Sequence, residues 1–182
     1  MSTLPHDVIE ESERRWAYVV AGVIGLMFAV IIFSSVHWAA QPPSNVETID
    51  ASRLHLAGEF VEENLGTAVQ PDGSVIVRVI AQQYSFVPSC IIVPANAPVV
   101  FRVTSPDVVH GFLIMGTNVN SMVVPGFIAE VRTRFDKPKD HLMPCHEYCN
   151  VGHESMWAHV KVVDRQEFTK SYGGQPRASC AG

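Results

Sequence analysis

Charged residues punctuate positions 7–15 of this chain and then vanish, because Trp16–Ala40 contains no Asp, Glu, Lys or Arg. A bilayer core of about 30 Å takes roughly 20 helical residues, so residues 16–40 are predicted to cross a membrane as one helix. Trp16, Tyr18 and Trp38 lie near the two ends of that stretch, where amphipathic rings prefer the headgroup level. "HWAAQ" resembles a signal-peptide cleavage site, but such peptides carry an apolar region of only about 7–15 residues. A retained anchor is therefore expected. Arg14 and Arg15 abut the span, and the next basic residue is Arg53. The excess of basic residues on the cytoplasmic side then leaves residues 1–15 in the cytoplasm and everything from about residue 41 on the outer, periplasmic side.

Beyond the span the period changes. "QPPSN" (residues 41–45) is a stiff polar exit, since proline cannot continue the helix. "TIDASRLHLAGEFVEENLG" is predicted as one short helix with Asp50 as its N-cap, interrupted by Gly58. "PDGS" (residues 71–74) marks a turn. From there the runs are short, β-branched and alternating: "SVIVRVIAQQYSF", with Val75, Val77 and Val79 on one face, then "CIIVP", "VVFRVTS", "FIAEVRTRF" and "WAHVKVV". Such strands, with no helical period between them, predict an all-β Greek-key sandwich or barrel behind one N-terminal transmembrane helix. The expected divisions are a cytoplasmic segment 1–15, the span 16–40, a connector 41–74, a β-domain 75–164 and a C-terminal tail 165–182, whose end "YGGQPRASCAG" (residues 172–182) looks mobile.

Composition narrows the function. The 182 residues carry a formal net charge of -5, which argues against a nucleic-acid binder with its basic face. The four cysteines are Cys90, Cys145, Cys149 and Cys180. Two of them fall inside "HLMPCHEYCNVGHESMWAHV" (residues 141–160), a run that also holds four histidines and two methionines.

Within that run Cys145, Cys149, His153 and Met156 follow one another in steps of four, four and three. That spacing also fits one face of a helix. Pro144, Asn150 and Gly152 break such a helix, and "WAHVKVV" resumes strand alternation at once. A loop between strands is the better prediction. A Cys145–Cys149 disulfide suits an exported domain but does not call for His153 and Met156. Structural zinc favours Cys2His2 sets; an iron–sulfur cluster generally wants four cysteines. Thiolate, thioether and imidazole together point to copper. "SPDVVHGF" (residues 105–112) places His110 after a strand, in a polar turn, where it supplies the second histidine that β-sandwich copper sites use. Two thiolates oversupply a single copper, whereas two coppers bridged by both sulfurs use the set evenly. An electron shared by such a pair changes each bond little, which suits electron transfer, and no position is left open for substrate.

The series "SPDVVHGF…VPG…CHEYCNVGHESM", with "AQQYSF", "VTSPDV" and "GTNVN", resembles subunit II of the haem–copper cytochrome c oxidases, in the short form with a single span. The resemblance covers the anchor and about Val75 to Asp164. It implies a cupredoxin-like domain holding a binuclear copper centre (CuA) that takes electrons from cytochrome c and passes them to the haem of subunit I, where oxygen is reduced. By position it makes Cys145 and Cys149 the bridging thiolates, His110 and His153 one imidazole for each copper, Met156 the axial thioether on one copper and the Glu147 carbonyl the weak donor on the other. The Glu147 carboxylate is in many relatives a ligand of magnesium at the subunit I interface. Tyr84 and Phe86 correspond to the region where electrons enter.

Asn150 stands where relatives carry glycine; if its φ is positive, asparagine is the best-tolerated replacement. The resemblance gives His141, His146 and His159 no ligand role, and Met143 is set aside with them. It assigns nothing to Cys90 and Cys180; Cys90 is expected as a small buried or free thiol, with pairing to Cys180 the alternative. The competing functions are the CuA subunit of a nitric oxide reductase and a membrane-anchored copper-binding protein.

Overall fold

The computed structural model describes residues 6–37, 47–173 and 177–180. Trp38 and the "QPPSN" exit fall outside them. The chain forms two compact units, Met1–Asn45 and Val46–Gly182. In the first, helix α1 spans His6–His37. Its stretch Asp7–Val36 has a mean hydropathy of 2.6 over its most apolar window, and none of that window is buried. At about 1.5 Å per residue this is long enough to cross a bilayer, and the surface it presents is apolar all round. The chain is membrane-anchored.

The second unit is a cupredoxin-like β-sandwich with eleven strands among the described residues. In chain order they are β1 (Glu47–Thr48), β2 (Gly66–Val69), β3 (Val75–Gln82), β4 (Ser85–Val87), β5 (Cys90–Pro94), β6 (Pro98–Thr104), β7 (His110–Leu113), β8 (Asn120–Val123), β9 (Phe127–Arg134), β10 (Lys139–Pro144) and β11 (Trp157–Val163), followed by helix α2 (Arg165–Tyr172). One sheet runs β1-β9-β6-β3-β2 with β4 on β3; a second runs β10-β11-β5; β7 and β8 form a hairpin. β3 pairs with β6, and β11 with β5, in parallel. The alternation predicted for β3 holds, for Val75, Val77 and Val79 are buried in the core with Phe101, Val103, Phe112, Ile91 and Val160.

Three sequence expectations are corrected. The helix predicted between Thr48 and Gly66 is replaced by two single turns, Ala51–Arg53 and Glu62–Asn64. Asp50 does cap the first, accepting from the Ser52 N–H at 3.0 Å, but Gly58 turns left-handed at φ 97° and the period cannot continue. The tail is anchored. Residues 165–172 are helical with Asp164 as N-cap, and Ala178 bridges to Thr67. Cys90 is not a free thiol, because it is disulfide-bonded to Cys180.

The outer face of the larger sheet carries charge where the inner face carries valine. Arg102 on β6 grips Glu59 with two hydrogen bonds, Nε to Oε1 at 2.6 Å and Nη2 to Oε2 at 2.7 Å. It also reaches Glu130 on β9 at 2.9 Å and Glu47 on β1 at 2.8 Å. Arg78 on β3 donates to Glu59 at 2.9 Å. Planar guanidinium donors meet carboxylates in this forked way better than an ammonium can. The network clamps the segment ahead of β2 onto the sheet.

Burial pushes the Glu59 carboxyl upward, yet the hydrogen bonds and charges of Arg102 and Arg78 outweigh it and hold the pKa below its ordinary value. A carboxyl held lower in the folded state stabilises the fold above its unfolded pKa of about 4.3, and that contribution is lost as pH falls through the folded value. Glu59→Gln is therefore expected to cost about 2 kcal/mol near neutrality, with the variant and parent converging in acid, in urea unfolding of the detergent-solubilised chain. Cys180→Ser opens a cross-link between residues 90 apart in sequence and is expected to cost about 2–5 kcal/mol by the same measurement.

Candidate metal centre

β10 delivers Cys145, and β11 takes the chain away from Met156. The Cys145 N–H donates to the Met156 carbonyl at 3.0 Å and closes the loop between them. Inside it the His153–Ser155 turn follows Gly152, at φ 106°. Asn150 has φ 105°, the left-handed backbone in which asparagine is the tolerated substitute for glycine. A β-carbon on Gly152 would stand 3.2 Å from the Tyr84 ring, so glycine lets the loop pass beneath that aromatic without displacing it.

The loop brings two sulfurs together. Cys145 Sγ and Cys149 Sγ are 3.9 Å apart, both are free thiols, and the Cys145–Cys149 disulfide weighed from sequence is not formed. Each sulfur has its own imidazole: His110 Nδ1 lies 3.8 Å from Cys145 Sγ, and His153 Nδ1 lies 3.5 Å from Cys149 Sγ. The remaining donors divide the same way, with the Glu147 carbonyl 3.3 Å from Cys145 Sγ and Met156 Sδ 3.8 Å from Cys149 Sγ. Metal bonds of about 2.3 Å to sulfur and about 2.0–2.1 Å to nitrogen put a sulfur and a nitrogen on one ion at separations near these. The donor set fits soft transition-metal ions, copper among them.

His110 does not sit in a polar turn as expected. It opens β7 and is fully buried. Its Nε2 lies 2.9 Å from Asp107 Oδ1; with Nε2–H donating to that carboxylate, Nδ1 is left as a lone pair facing the sulfur, the usual arrangement of a metal-binding histidine. Burial pushes the Asp107 carboxyl up, but hydrogen bonds from the Gln83 N–H, His110, the Val108 N–H and Ser105 hold it below the ordinary range. The Gly111 N–H points at Cys145 Sγ from 3.5 Å, and a β-carbon on Gly111 would collide with the backbone of His146 and Glu147.

Burial, and then the neighbouring Cys145, push the Cys149 thiol up to about 11. Two thiolates do not share so dry a space without a cation between them. Asp107, Gln83 and Gly111 were not singled out from sequence. Asp107 was findable as an acid three residues before a candidate ligand; Gln83 and Gly111 act through contacts that no local pattern encodes.

The other sequence candidates lie apart. His141 donates through its Nδ1–H to the Met115 carbonyl, 2.8 Å away, and packs on Phe135. Met143 is in the core. His146 and His159 are exposed. Tyr84 is 39% exposed, whereas Phe86 is buried against Phe112, so of the two aromatics only Tyr84 reaches the surface.

The family model for the cytochrome c oxidase subunit II periplasmic domain matches residues 75–163. A cytochrome c oxidase subunit 2 of Thermus thermophilus is 30% identical over 161 residues, covering 87% of this chain and 96% of that protein. A second Thermus thermophilus protein of that name is 33% identical over 123 residues, covering 68% of this chain and 91% of its own. Among solved structures, a chain of a heme-copper terminal oxidase dimer superposes with a TM-score of 0.61 at 23% identity, covering 84% of this chain and 99% of that one. That likeness shows a shared fold.

Removing the carboxylate behind a metal-binding imidazole commonly costs about 10–100-fold in metal affinity. Asp107→Ala is expected to weaken copper binding by a factor in that range in a competition titration against a chelator of known affinity.

Proposed function

The chain belongs to the cytochrome c oxidase subunit II family, and from that premise we propose that its Cys145–Met156 loop and His110 hold a binuclear copper centre. The chain is the electron-input subunit of a haem–copper oxidase and partners the catalytic haem–copper subunit. Reduction of oxygen belongs to that partner, and this chain performs electron transfer. Cytochrome c is the proposed donor, with the exposed ring of Tyr84 over Gly152 as the place where it makes contact. Helix α1 is proposed to sit in lipid with residues 1–15 in the cytoplasm, and the Val46–Gly182 unit faces the periplasm.

The observation that carries the copper reading is the division of donors: two thiols 3.9 Å apart, each with one imidazole. When bound, the copper pair supplies a one-electron couple whose charge is shared over both metals. The chain's own residues do the rest. Cys145 and Cys149 would hold the ions through their thiolates, with His110 and His153 as imidazole donors and Met156 and the Glu147 carbonyl as further donors. Asp107 fixes the His110 ring through Nε2. Cys145, Cys149, His110 and Met156 are buried and His153 is half-buried, so these residues would keep most water away from the ions they hold. The half-buried Glu147 carboxylate is the proposed ligand for magnesium where this chain meets its catalytic partner.

A buried, two-segment set suits retention of metal, which disfavours a delivery role. Metal analysis of the detergent-solubilised full chain is expected to give two coppers per chain with intense thiolate-to-copper absorption, and Cys149→Ser is expected to abolish the pair. One copper or none in the parent chain, or a colourless protein after copper addition, overturns the reading.

A further inference from the structure

We propose that Gln83 is a positioning residue of the metal centre, a strut that fixes His110 relative to Cys149; the proposal rests on the two-copper reading above. The ligands come from two stretches of chain. His110 begins β7, and the other ligands lie between Cys145 and Met156. The covalent chain does not hold these stretches in register, so something between them must.

Gln83 follows the last residue of β3 and reaches both. Its backbone N–H donates to Asp107 Oδ2 at 2.7 Å. Its side-chain Nε2–H donates to the Cys149 carbonyl at 2.7 Å. The other oxygen of the same carboxylate, Asp107 Oδ1, holds His110 Nε2 at 2.9 Å. A continuous hydrogen-bonded path thus runs from the Cys149 backbone through Gln83 and Asp107 to the His110 ring. It crosses from the half of the site that carries His153 and Met156 to the half that carries His110. The path is rooted in β3, whose neighbours β6 and β2 pair along most of its length.

Crossing the site gives Gln83 a consequence that a space-filling residue lacks. An electron is shared evenly by two metals only while the two halves have nearly equal energy. A displacement of Cys149 relative to His110 alters one half more than the other. Loss of the side-chain donor also frees the Cys149 carbonyl, and with it the loop that must open before metal leaves.

The test uses the copper-loaded full chain in detergent and three variants. Gln83→Met keeps the length and removes the donor; Gln83→Glu keeps the shape and sets an acceptor against the carbonyl. Gln83→Lys restores a donor of similar reach. The Met and Glu variants are expected to fold, form the Cys90–Cys180 bond and bind the parent's number of coppers. They should lose copper to a chelator about tenfold faster or more, and their electron paramagnetic resonance should show unequal coupling to the two copper nuclei. The Lys variant should return the rate of copper loss toward that of the parent. Parent-like loss rates and coupling in the Met and Glu variants overturn the proposal, even if their melting temperatures fall. So does a well-folded Lys variant that loses copper as fast as the Met variant. If the parent binds a single copper, the two-copper reading fails instead, and the rate at which that one ion is lost still decides for or against Gln83.

Discussion

The donor cluster of the Val46–Gly182 unit is built on two buried sulfurs that cannot both ionise so close together without a cation between them. Cys145 Sγ and Cys149 Sγ stand 3.9 Å apart, and burial together with that proximity pushes the Cys149 thiol up to about 11. An isolated peptide would relieve the conflict by turning one side chain outward. Here the loop is closed by the Cys145 N–H on the Met156 carbonyl, and left-handed Asn150 and Gly152 bend it back on itself. Gly111 comes so close beneath it that no side chain fits between. The fold holds the donors ready so that a cation can take the place of the thiol protons, and much of the cost of ordering them is met in folding.

That preorganisation needs a rigid frame on the far side of the loop. β10 and β11 are antiparallel neighbours in register from Lys139–Val162 to Pro144–Trp157, so the two ends of the loop are set by one ladder. β11 is then locked in parallel to β5, and the Cys90–Cys180 bond pins the tail beside that strand. The opposite sheet receives its reinforcement from charge. Arg102 gathers carboxylates from β1, β9 and the segment before β2 onto its outer face. Core residues of both sheets meet in one apolar cluster that includes Cys145, Cys149 and Met156, so the ligands are part of the packing that holds the sandwich together.

Much of this was readable in the sequence, and the reasons differ by residue. The loop of proposed metal donors was legible because Cys145, Cys149, His153 and Met156 are close in sequence and chemically distinctive. β3 was legible because Val75, Val77 and Val79 alternate with less buried neighbours. Asn150 was legible because few non-glycine residues tolerate positive φ. The failures share a cause. β7 and β10 read poorly, because His110 and the polar start "KDH" of β10 carry little strand preference and gain their place only by pairing. The supposed helix before β2 has acceptable residues for a helix, but Gly58 and the pull of Arg102 on Glu59 decide against it. The tail looks mobile by composition until Cys180 meets Cys90, a contact 90 residues away. Asp107 and Gln83 matter for hydrogen bonds to residues that sequence alone does not bring near.

The four cysteines show how one chain gives a single chemical group two fates. Cys90 and Cys180 meet at a strand edge near the surface, and oxidation there closes a long loop and orders the tail. The inner pair are as near in sequence as four residues, yet their separation of 3.9 Å is well beyond a disulfide bond of about 2.05 Å. Both inner sulfurs are therefore thiols, and they take their place in the cluster of metal donors rather than in a cross-link.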